Sequence, residues 1–375
     1  MHNFYEPRET FEQSILDIQK YISEWEKLLE ISSVDAEDTE KSKRKIQSLA
    51  SFSYSLWQKF NENRSELSKH YMESFAGIQA YLASFLLPNI ERVFGVLTDP
   101  ENLKSIESLL LQNQNEEELV LADFGAGPLS ATMGFLCVLS VLNVPLPKKI
   151  TVFAIDRSEK IVSHGLKLIE KAKAQNFNFS IKYLTSVTKI DRPVDIALCV
   201  NIFNEIPEKH RSKTLLSLCE KMKPKSLLFV MEPGQDVFAK ALGALRDNLI
   251  ADDSTWDIVA PCTHKKPCPL SNKVTRKDWC WFRHGWKPYG TQKMIDKYTK
   301  VDHTYLNYSY VFFRRGEENL NAKQDHSARV VSDQFLVNKE SDQNKVLLCT
   351  WEGKIESEII SEKDRNGHLK RGVKS

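Results

Sequence analysis

The stretch ELVLADFGAGPLS, residues 118–130, decides the fold of this 375-residue chain. Its first half is rich in Leu, Val and Phe and predicts a buried strand, and the glycines that follow predict a tight turn into a helix. Glycine also lets a ligand approach the main chain where a Cβ atom would block it. The stretch therefore predicts a strand, an accessible turn and a helix in succession.

Short apolar runs continue after this stretch and alternate with segments of helix length. Such alternation predicts a mostly parallel sheet with helices on both faces, which is a doubly wound α/β domain. We place this domain at residues 116–315. The predicted strands are 118–124, 149–156, 179–185, 194–201, 226–233 and a late strand at 304–315 that closes the sheet, and the predicted helices are 129–142, 159–175, 208–222 and 235–249.

The residues before the sheet predict an N-terminal helical domain, residues 1–115, since their apolar residues recur at helical spacing among Glu and Lys. We expect one helix at 11–31 and a second helical region at 48–96. The polar residues 32–47 between them predict a linker.

The residues after the fifth strand lose the alternation. Residues 252–300 are rich in Pro, Lys, Cys and Trp and predict an irregular insertion. Residues 316–375 predict a C-terminal hairpin and tail, with a loop over 316–344 and the hairpin at 345–361 turning at Glu352-Gly353. The charged final residues predict a mobile end.

The N-terminal residues have neither the basic nor the apolar region of a secretory signal, and their acidic residues disfavour a mitochondrial transit peptide. The uncharged run from Phe124 to Pro147 is broken by Gly and Pro, so it predicts a buried turn and helix rather than a membrane span. We therefore expect a cytoplasmic protein without membrane contact.

The turn after the first strand and the end of the second strand predict a nucleotide-type site. A carboxylate at the end of the second strand can accept hydrogen bonds from both hydroxyls of a ribose. The candidate cofactor residues here are Asp123, Gly125, Gly127 and Asp156, and S-adenosylmethionine is the favoured ligand. The alternative is a tight turn with an Asp satisfied inside the protein. Leu129 stands where a third glycine is expected, which predicts a narrower pocket or a shifted helix start.

Asn204 follows the fourth strand and Glu232 lies at the end of the fifth, at the edge of the sheet where ligands bind in this kind of fold. We add Asn204 to the cofactor candidates, and helix capping is its alternative role. No general base or nucleophile stands out, so the catalytic residues are unassigned.

Three cysteines lie in a polar, Pro-broken segment, where thiols have little packing reason to be. Soft thiolates can hold zinc or an iron–sulfur cluster. The wide, uneven spacing lacks the close pairs of zinc sites and favours a larger cluster. The candidate ligands are Cys262, Cys268, Cys280 and the remote Cys349, whose alternative is an isolated strand cysteine. His264 is a possible substitute ligand, although a surface histidine is the simpler interpretation.

The net charge of +2 hides an asymmetry along the chain. Residues 261–315 hold 12 Lys and Arg against 3 Asp and Glu, whereas residues 1–260 hold 30 against 36. This basic segment is interleaved with Trp279, Trp281, Phe282, Trp286 and Tyr289. Phosphate contact by the cations and base stacking by the rings would suit an RNA-facing patch, and a solvated basic face is the alternative.

About residues 70–350 resemble the methyltransferase-like assembly proteins of the small ribosomal subunit, which occur in bacteria and mitochondria. The resembling pieces, in the order of that family, are AYLASFLLPNIERVFGVL, DFGAGP, CVNIFNEIP, VMEPGQ, APCTHKKPCPL, DWCWF and YLNYSYVFFRR. DFGAGP is common to many methyltransferases, whereas the cysteine-bearing pieces are far more specific.

The resemblance implies a class I S-adenosylmethionine-dependent methyltransferase-like fold that carries a [4Fe-4S] cluster on Cys262, Cys268, Cys280 and Cys349. It implies binding to the ribosomal RNA and ribosomal proteins of the small subunit, by a chain that is a monomer off the ribosome. We expect an assembly or translation factor. The alternatives are an active S-adenosylmethionine-dependent rRNA methyltransferase and a zinc-stapled RNA-binding module.

Overall fold

The computed structural model places most of the chain from residue 40 onward. The residues that it describes are 40–61, 73–171, 178–271, 278–288, 290–316, 327–338, 343–360 and 371–372. The helix predicted at 11–31 lies outside the described residues.

Helices precede the sheet, as the sequence predicts. They are α1 (Glu40–Asn61), α2 (Phe75–Tyr81), a π-helical turn (Leu82–Leu86), α3 (Leu87–Leu97) and α4 (Pro100–Gln112). The linker predicted over 32–47 is wrong from Glu40 onward, because α1 begins there. Ile46, Leu49 and Leu56 are buried, so the apolar face of this helix starts inside the charged stretch.

The central sheet has the predicted parallel strands. They are β1 (Glu118–Phe124), β2 (Lys149–Ile155), β3 (Phe179–Leu184), β4 (Val194–Val200) and β5 (Met222–Pro233), followed by β6 (Trp256–Ala260), β7 (Phe282–Gly285) and β8 (Tyr305–Arg315). The order is β3-β2-β1-β4-β5-β8-β6, in which β8 runs antiparallel to β5 and β6, and β7 pairs with β8. The late strand therefore lies between two others, and β6 rather than β8 ends this side of the sheet.

Helices cover both faces of the sheet. They are α5 (Ser130–Val141), α6 (Glu159–Lys171), α7 (Glu208–Cys219) and α8 (Asp236–Asp252). Alternate residues of β1 point to opposite faces of the sheet and show which helices cover each face. Leu119 and Leu121 pack with α3–α6, whereas Val120 and Ala122 pack with α7 and α8. This arrangement confirms the predicted doubly wound α/β architecture, with the class I methyltransferase-like sheet that the resemblance implies.

The helices α3 and α4 belong to the same core as the sheet. The domain boundary expected at residue 115 therefore does not coincide with a gap in packing, and it stays a prediction. Ala76–Leu97 is long and apolar enough to cross a membrane by length and composition alone, yet 72% of its most apolar stretch is buried inside the protein. Its apolar surface is thus used in packing against α5 and the sheet.

The C-terminal part forms a second, antiparallel sheet. Its strands are β9 (Ala328–Val330), β10 (Phe335–Asn338), β11 (Gln343–Thr350) and β12 (Ile355–Ile360). The predicted hairpin is confirmed as β11–β12, and Gly353 takes a φ of 74° in its turn. The loop predicted over 316–344 is wrong where β9 and β10 lie, since both pair with β11.

The insertion is more regular than its composition predicts. Besides β6 and β7 it contains α9 (Gly290–Thr299). The two short strands form because they pair with the long β8, and a partner so distant in the chain leaves no local pattern.

Candidate functional site

A cavity of about 1470 Å³ opens at the carboxyl ends of the parallel strands. The ends of β1, β2, β4 and β5 contribute Gly125, Asp156, Asn201 and Gly234 to its lining. Doubly wound sheets bind ligands at this edge. The volume exceeds the roughly 300–1,000 Å³ of common small-molecule pockets, so the cavity can hold a nucleotide-sized cofactor and further groups.

The glycine turn forms the floor of the cavity. Gly125 and Gly127 have φ values of 77° and 49°, a region that side chains disfavour. A Cβ atom on Gly125 would lie 2.6 Å from Ile202, whereas the nearest atom to a Cβ on Gly127 would be 4.0 Å away. Gly125 thus allows close packing of the chain, and Gly127 leaves its backbone open to the cavity.

Leu129 keeps the turn that a third glycine would make. Its own φ is 64°, the left-handed value, and α5 begins directly after it at Ser130. Its side chain is fully buried in the core and is not part of the cavity lining. The narrower pocket predicted from the missing glycine is therefore wrong, because the leucine side chain points away from the cavity.

Asp156 sits at the rim, where the sequence places it. Its Oδ2 accepts a hydrogen bond from the Gly127 amide at 2.9 Å, and its Oδ1 accepts one from the Ser158 amide at 2.9 Å. These bonds fix the carboxylate, and each oxygen keeps a second acceptor position for a ligand hydroxyl. The residue suits the ribose role predicted for it.

Asp123 lies behind the cavity and is absent from its lining. It is 1% exposed, and its Oδ2 accepts bonds from the amide and the hydroxyl of Thr132, at 3.1 and 2.6 Å. Burial raises its pKa to about 7, against the lowering effect of the two Thr132 bonds. In this structure Asp123 holds the start of α5.

Asn204 and Glu232 both lie near the turn after β4, where ligand contact and capping were the two roles expected. Glu232 is 2% exposed, and its carboxylate accepts the amides of Phe203 and Asn204 at 2.8 and 3.3 Å. It thereby fixes the turn after β4, on which Asn204 and Glu205 line the cavity. The capping role thus falls to Glu232, and Asn204 is one of the residues that line the cavity.

The wall opposite the sheet comes from α2 and α3, which the sequence did not predict to be part of the site. Tyr81, Asn89 and Arg92 line the cavity there. Arg92 donates to Asn89 Oδ1 at 2.6 Å, and Asn201, with a φ of 56°, donates to the same oxygen at 3.2 Å. Burial lowers the pKa of Arg92 to about 10, so it stays charged at neutral pH.

Pro88 accounts for the shape of this wall. A proline inside a helix has no amide hydrogen and clashes with the preceding turn, and the π-helical turn at Leu82–Leu86 accommodates it. Asn89 and Arg92 in an otherwise apolar helical run were the sequence signal that could have identified this wall.

The four candidate cysteines come together at the back of the insertion. Burial raises the pKa of Cys280 well above its ordinary value, and the neighbouring Cys262, Cys268 and Cys349 raise it further. The thiols of Cys262 and Cys268 also raise the pKa of Cys349, after burial. Each thiol is therefore within electrostatic range of the others, although they come from three separate parts of the chain.

His264 belongs to this group and is not a surface residue. It is 9% exposed, its Nε2 lies 3.4 Å from Cys349 Sγ, and its Nδ1 lies 3.0 Å from the Lys266 carbonyl. Burial lowers its pKa to about 4, so the ring is neutral at neutral pH. Among the described residues, no three His, Cys, Asp or Glu side chains are arranged to hold a single metal ion.

The basic segment is partly neutralised by its surroundings. Lys265 pairs with Asp257, and Arg283 pairs with Asp333 at 2.6 Å. By contrast, four lysines on or near α9 form no ion pair with any carboxylate among the described residues. These are Lys287, Lys293, Lys297 and Lys300.

The aromatic residues of that segment differ in what they can reach. Phe282 is buried in the core and has no face for a base. Trp281 lies between two guanidinium groups, those of Arg283 at 4.9 Å and Arg371 at 4.0 Å. Tyr305 is 59% exposed and lines the cavity mouth. Tyr289 lies outside the described residues.

Comparison with known proteins gives one family. Residues 121–374 match the family described as "Mitochondrial small ribosomal subunit Rsm22". No curated protein sequence matches the chain. The cytoplasmic location expected from the sequence stays a prediction, since the family's description is mitochondrial.

Solved structures of several methyltransferases show low similarity. The precorrin-6y C5,15-methyltransferase from Geobacter metallireducens GS-15 is 13% identical, with a TM-score of 0.32 over 59% of this chain and 90% of its own. The magnesium protoporphyrin IX methyltransferase from Synechocystis PCC 6803 is 14% identical, with a TM-score of 0.34 over 63% and 96%. The plantazolicin methyltransferase BpumL is 11% identical, with a TM-score of 0.35 over 73% and 98%. Because these scores are low, the strand order itself carries our assignment of the fold.

Proposed function

Since this chain belongs to the family described as mitochondrial small ribosomal subunit Rsm22, we propose that it acts on the small ribosomal subunit as an RNA-binding assembly or translation factor. In this proposal a [4Fe-4S] cluster, ligated by Cys262, Cys268, Cys280 and Cys349, staples the insertion to the β11–β12 hairpin. The methyltransferase-like sheet supplies an S-adenosylmethionine-sized cavity, and the basic segment supplies the RNA contact.

The convergence of the cysteines carries the proposal. Cys268, Cys280 and Cys349 pack together in one small cluster, and Cys262 lies within electrostatic range of them. Next to Cys262, Thr263 Oγ1 is a buried polar atom without a partner among the described groups. Thiolates are the ligands that iron–sulfur clusters prefer. The wide, uneven spacing of the cysteines along the chain favours a cluster over zinc, whose ligands usually come in close pairs. When bound, such a group would cross-link the insertion and the hairpin.

Metal content tests this assignment. Protein purified without oxygen should contain about four irons per chain and be brown, and Cys268→Ser should lose both the iron and the colour. Cys137→Ser is the matched control, because Cys137 lies in α5 outside the group and should leave the iron unchanged. Stoichiometric zinc without iron in the wild-type protein would overturn the cluster assignment.

The cavity fits S-adenosylmethionine by its donors. Gly127 offers an open backbone, Asp156 a fixed carboxylate for ribose hydroxyls, and Asn204 an amide on the turn held by Glu232. These residues would bind and orient the cofactor, which supplies a methyl group in methyltransferases. Calorimetry with S-adenosylmethionine tests the assignment, and no binding at millimolar ligand would remove both the cofactor and the methyltransferase alternative.

The described lysines of the basic segment support RNA contact. Lys293 and Lys297 are exposed on α9, and Lys300 follows it at the cavity mouth. Lysines without a carboxylate partner are free to neutralise phosphates. The exposed Tyr305 beside them is available for stacking on an unpaired base.

A further inference from the structure

Three buried arginines surround the cysteine group, and the sequence predicts no role for any of them. Arg246 on α8 and Arg329 on β9 are 1% and 4% exposed. The side chain of Arg371, near the end of the chain, is 9% exposed. Buried guanidinium groups are rare unless they are paired or functional, so three around one group require an explanation.

Each arginine donates to a carbonyl within two residues of a candidate cysteine ligand. Arg246 donates to the carbonyl of Lys266 at 2.6 Å and to that of His264. These carbonyls lie two residues before Cys268 and two residues after Cys262. Arg246 therefore spans the loop between two of the cysteines.

The other two arginines hold the remaining segments. Arg329 donates to the Pro261 carbonyl at 2.9 Å, directly before Cys262, and it lies opposite Cys349 in the β9–β11 register. Arg371 donates to the Trp281 carbonyl at 3.0 Å, directly after Cys280. Guanidinium groups thus hold the segments that carry Cys262, Cys268 and Cys280, and the pairing of β9 with β11 places Cys349 opposite Arg329.

The charge balance around Arg246 also points to an anion. The carboxylate of Asp247, the next residue, forms an ion pair with the Arg246 guanidinium. Both oxygens of this carboxylate also accept the Cys268 amide, at 3.1 and 2.9 Å. Yet Arg246 Nε is buried and has no hydrogen-bond partner among the described groups. One donor of a buried cation thus remains available on α8, the helix that packs on the Cys268 loop, since a Cβ atom on Gly243 would lie 3.5 Å from Cys268 Sγ.

From these contacts we infer that Arg246, Arg329 and Arg371 are positioning residues that hold the cysteine segments in place and favour an anionic cysteine-ligated group. This inference rests on the metal assignment proposed above. Four thiolates around a [4Fe-4S] core leave that group with net negative charge, and the surrounding charge and hydrogen bonds set its reduction potential. Removing a guanidinium should therefore weaken retention and make the group harder to reduce.

The test uses the full chain, purified without oxygen, in three variants. Arg246→Met removes the charge and both carbonyl bonds, and Arg246→Lys restores the charge without the fork-shaped pair of donors. Arg315→Met is the matched control, because Arg315 also donates to two carbonyls, those of Cys219 and Met222, which lie outside the group of four candidate ligands. Iron release to a chelator and the reduction potential are measured for each.

Arg246→Met should release iron about tenfold to a hundredfold faster than the wild-type protein, the usual cost of losing an outer partner of a metal site. Its reduction potential should shift to a more negative value, Arg246→Lys should recover the potential but not the slow release, and Arg315→Met should match the wild type. If Arg246→Met does not fold, Arg371→Met takes its place, with the same expected result.

Two outcomes separate the inference from the proposal beneath it. Wild-type protein without iron would refute the cluster assignment itself. Iron-containing wild-type protein, with release rate and potential unchanged in Arg246→Met, or in Arg371→Met where that variant takes its place, would overturn the role of the arginines alone.

Discussion

Substitution of the glycines by alanine separates two reasons for a glycine at the cavity floor. Gly125 and Gly127 both have a left-handed backbone, but only at Gly125 would a Cβ atom meet a neighbour, at 2.6 Å from Ile202. Gly285 has neither constraint, since no atom lies within 4 Å of a Cβ built there. The three positions therefore form a graded series.

The structure gives the expected magnitudes. Gly285→Ala should change the free energy of unfolding by no more than about 0.5 kcal/mol, as for an ordinary surface change. Gly127→Ala should lower it by about 1–2 kcal/mol, the cost of left-handed backbone in an L-residue. Gly125→Ala adds an overpacking cost of about 1–3 kcal/mol, so its total is about 2–5 kcal/mol.

Urea unfolding followed by circular dichroism measures these differences, provided that the denaturant slope is the same in all three variants. Calorimetry with S-adenosylmethionine adds the functional part. Gly127→Ala should bind the cofactor more weakly, because its new methyl group faces the cavity. Equal destabilisation by Gly125→Ala and Gly127→Ala would refute the reasoning, since it would mean that Ile202 gives way without cost.

Three further predictions concern charge and packing. Because burial raises the pKa of Asp123 from 3.8 to about 7, the folded protein keeps a proton that the unfolded chain loses, so this group lowers the free energy of unfolding as pH rises through that window. Asp123→Asn should remove about 4 kcal/mol of the change in the free energy of unfolding between pH 4 and pH 7. Urea unfolding at several pH values measures that change, and the same pH dependence in the variant and the wild type would contradict the prediction. Leu129→Gly should destabilise the protein by about 1–3 kcal/mol, because the burial that is removed exceeds the relief of left-handed backbone, and a gain in the urea midpoint would contradict this. Lys293→Glu with Lys297→Glu should reduce the salt slope of binding to small-subunit ribosomal RNA by about 1 for each phosphate that is no longer neutralised, whereas Lys148→Glu, at an exposed site elsewhere, should reduce it less.

The parallel strands and the glycine turn were predictable because their signals are local. Each strand is a short apolar run, and a glycine turn next to it needs no distant partner to be recognised. Thus β1 and β4 begin at the predicted residues, and β2 ends beside the predicted Asp156. The cysteine spacing likewise identified residues that the fold brings together.

Features that depend on distant partners were not predictable. The short β7 and β9 exist because they pair with β8 and β11, and neither segment has a strand pattern of its own. Asp123 was grouped with the ligand residues because its sequence position suits them, but its contact with Thr132 places it behind the turn. Sequence spacing gives the position of a side chain along a strand, whereas its environment depends on the helix that packs above it.

The cysteine segment and the cavity are joined at one edge of the sheet. The Trp279 indole donates to the Gly234 carbonyl at 2.8 Å, and the Ser309 hydroxyl donates to the Cys280 carbonyl at 2.7 Å. Gly234 lines the cavity, and a Cβ atom there would lie 2.8 Å from the amide nitrogen of Tyr308, so only a glycine fits this close approach to β8. The insertion is thus hydrogen-bonded to the cavity rim and to β8, although its composition differs from that of the sheet.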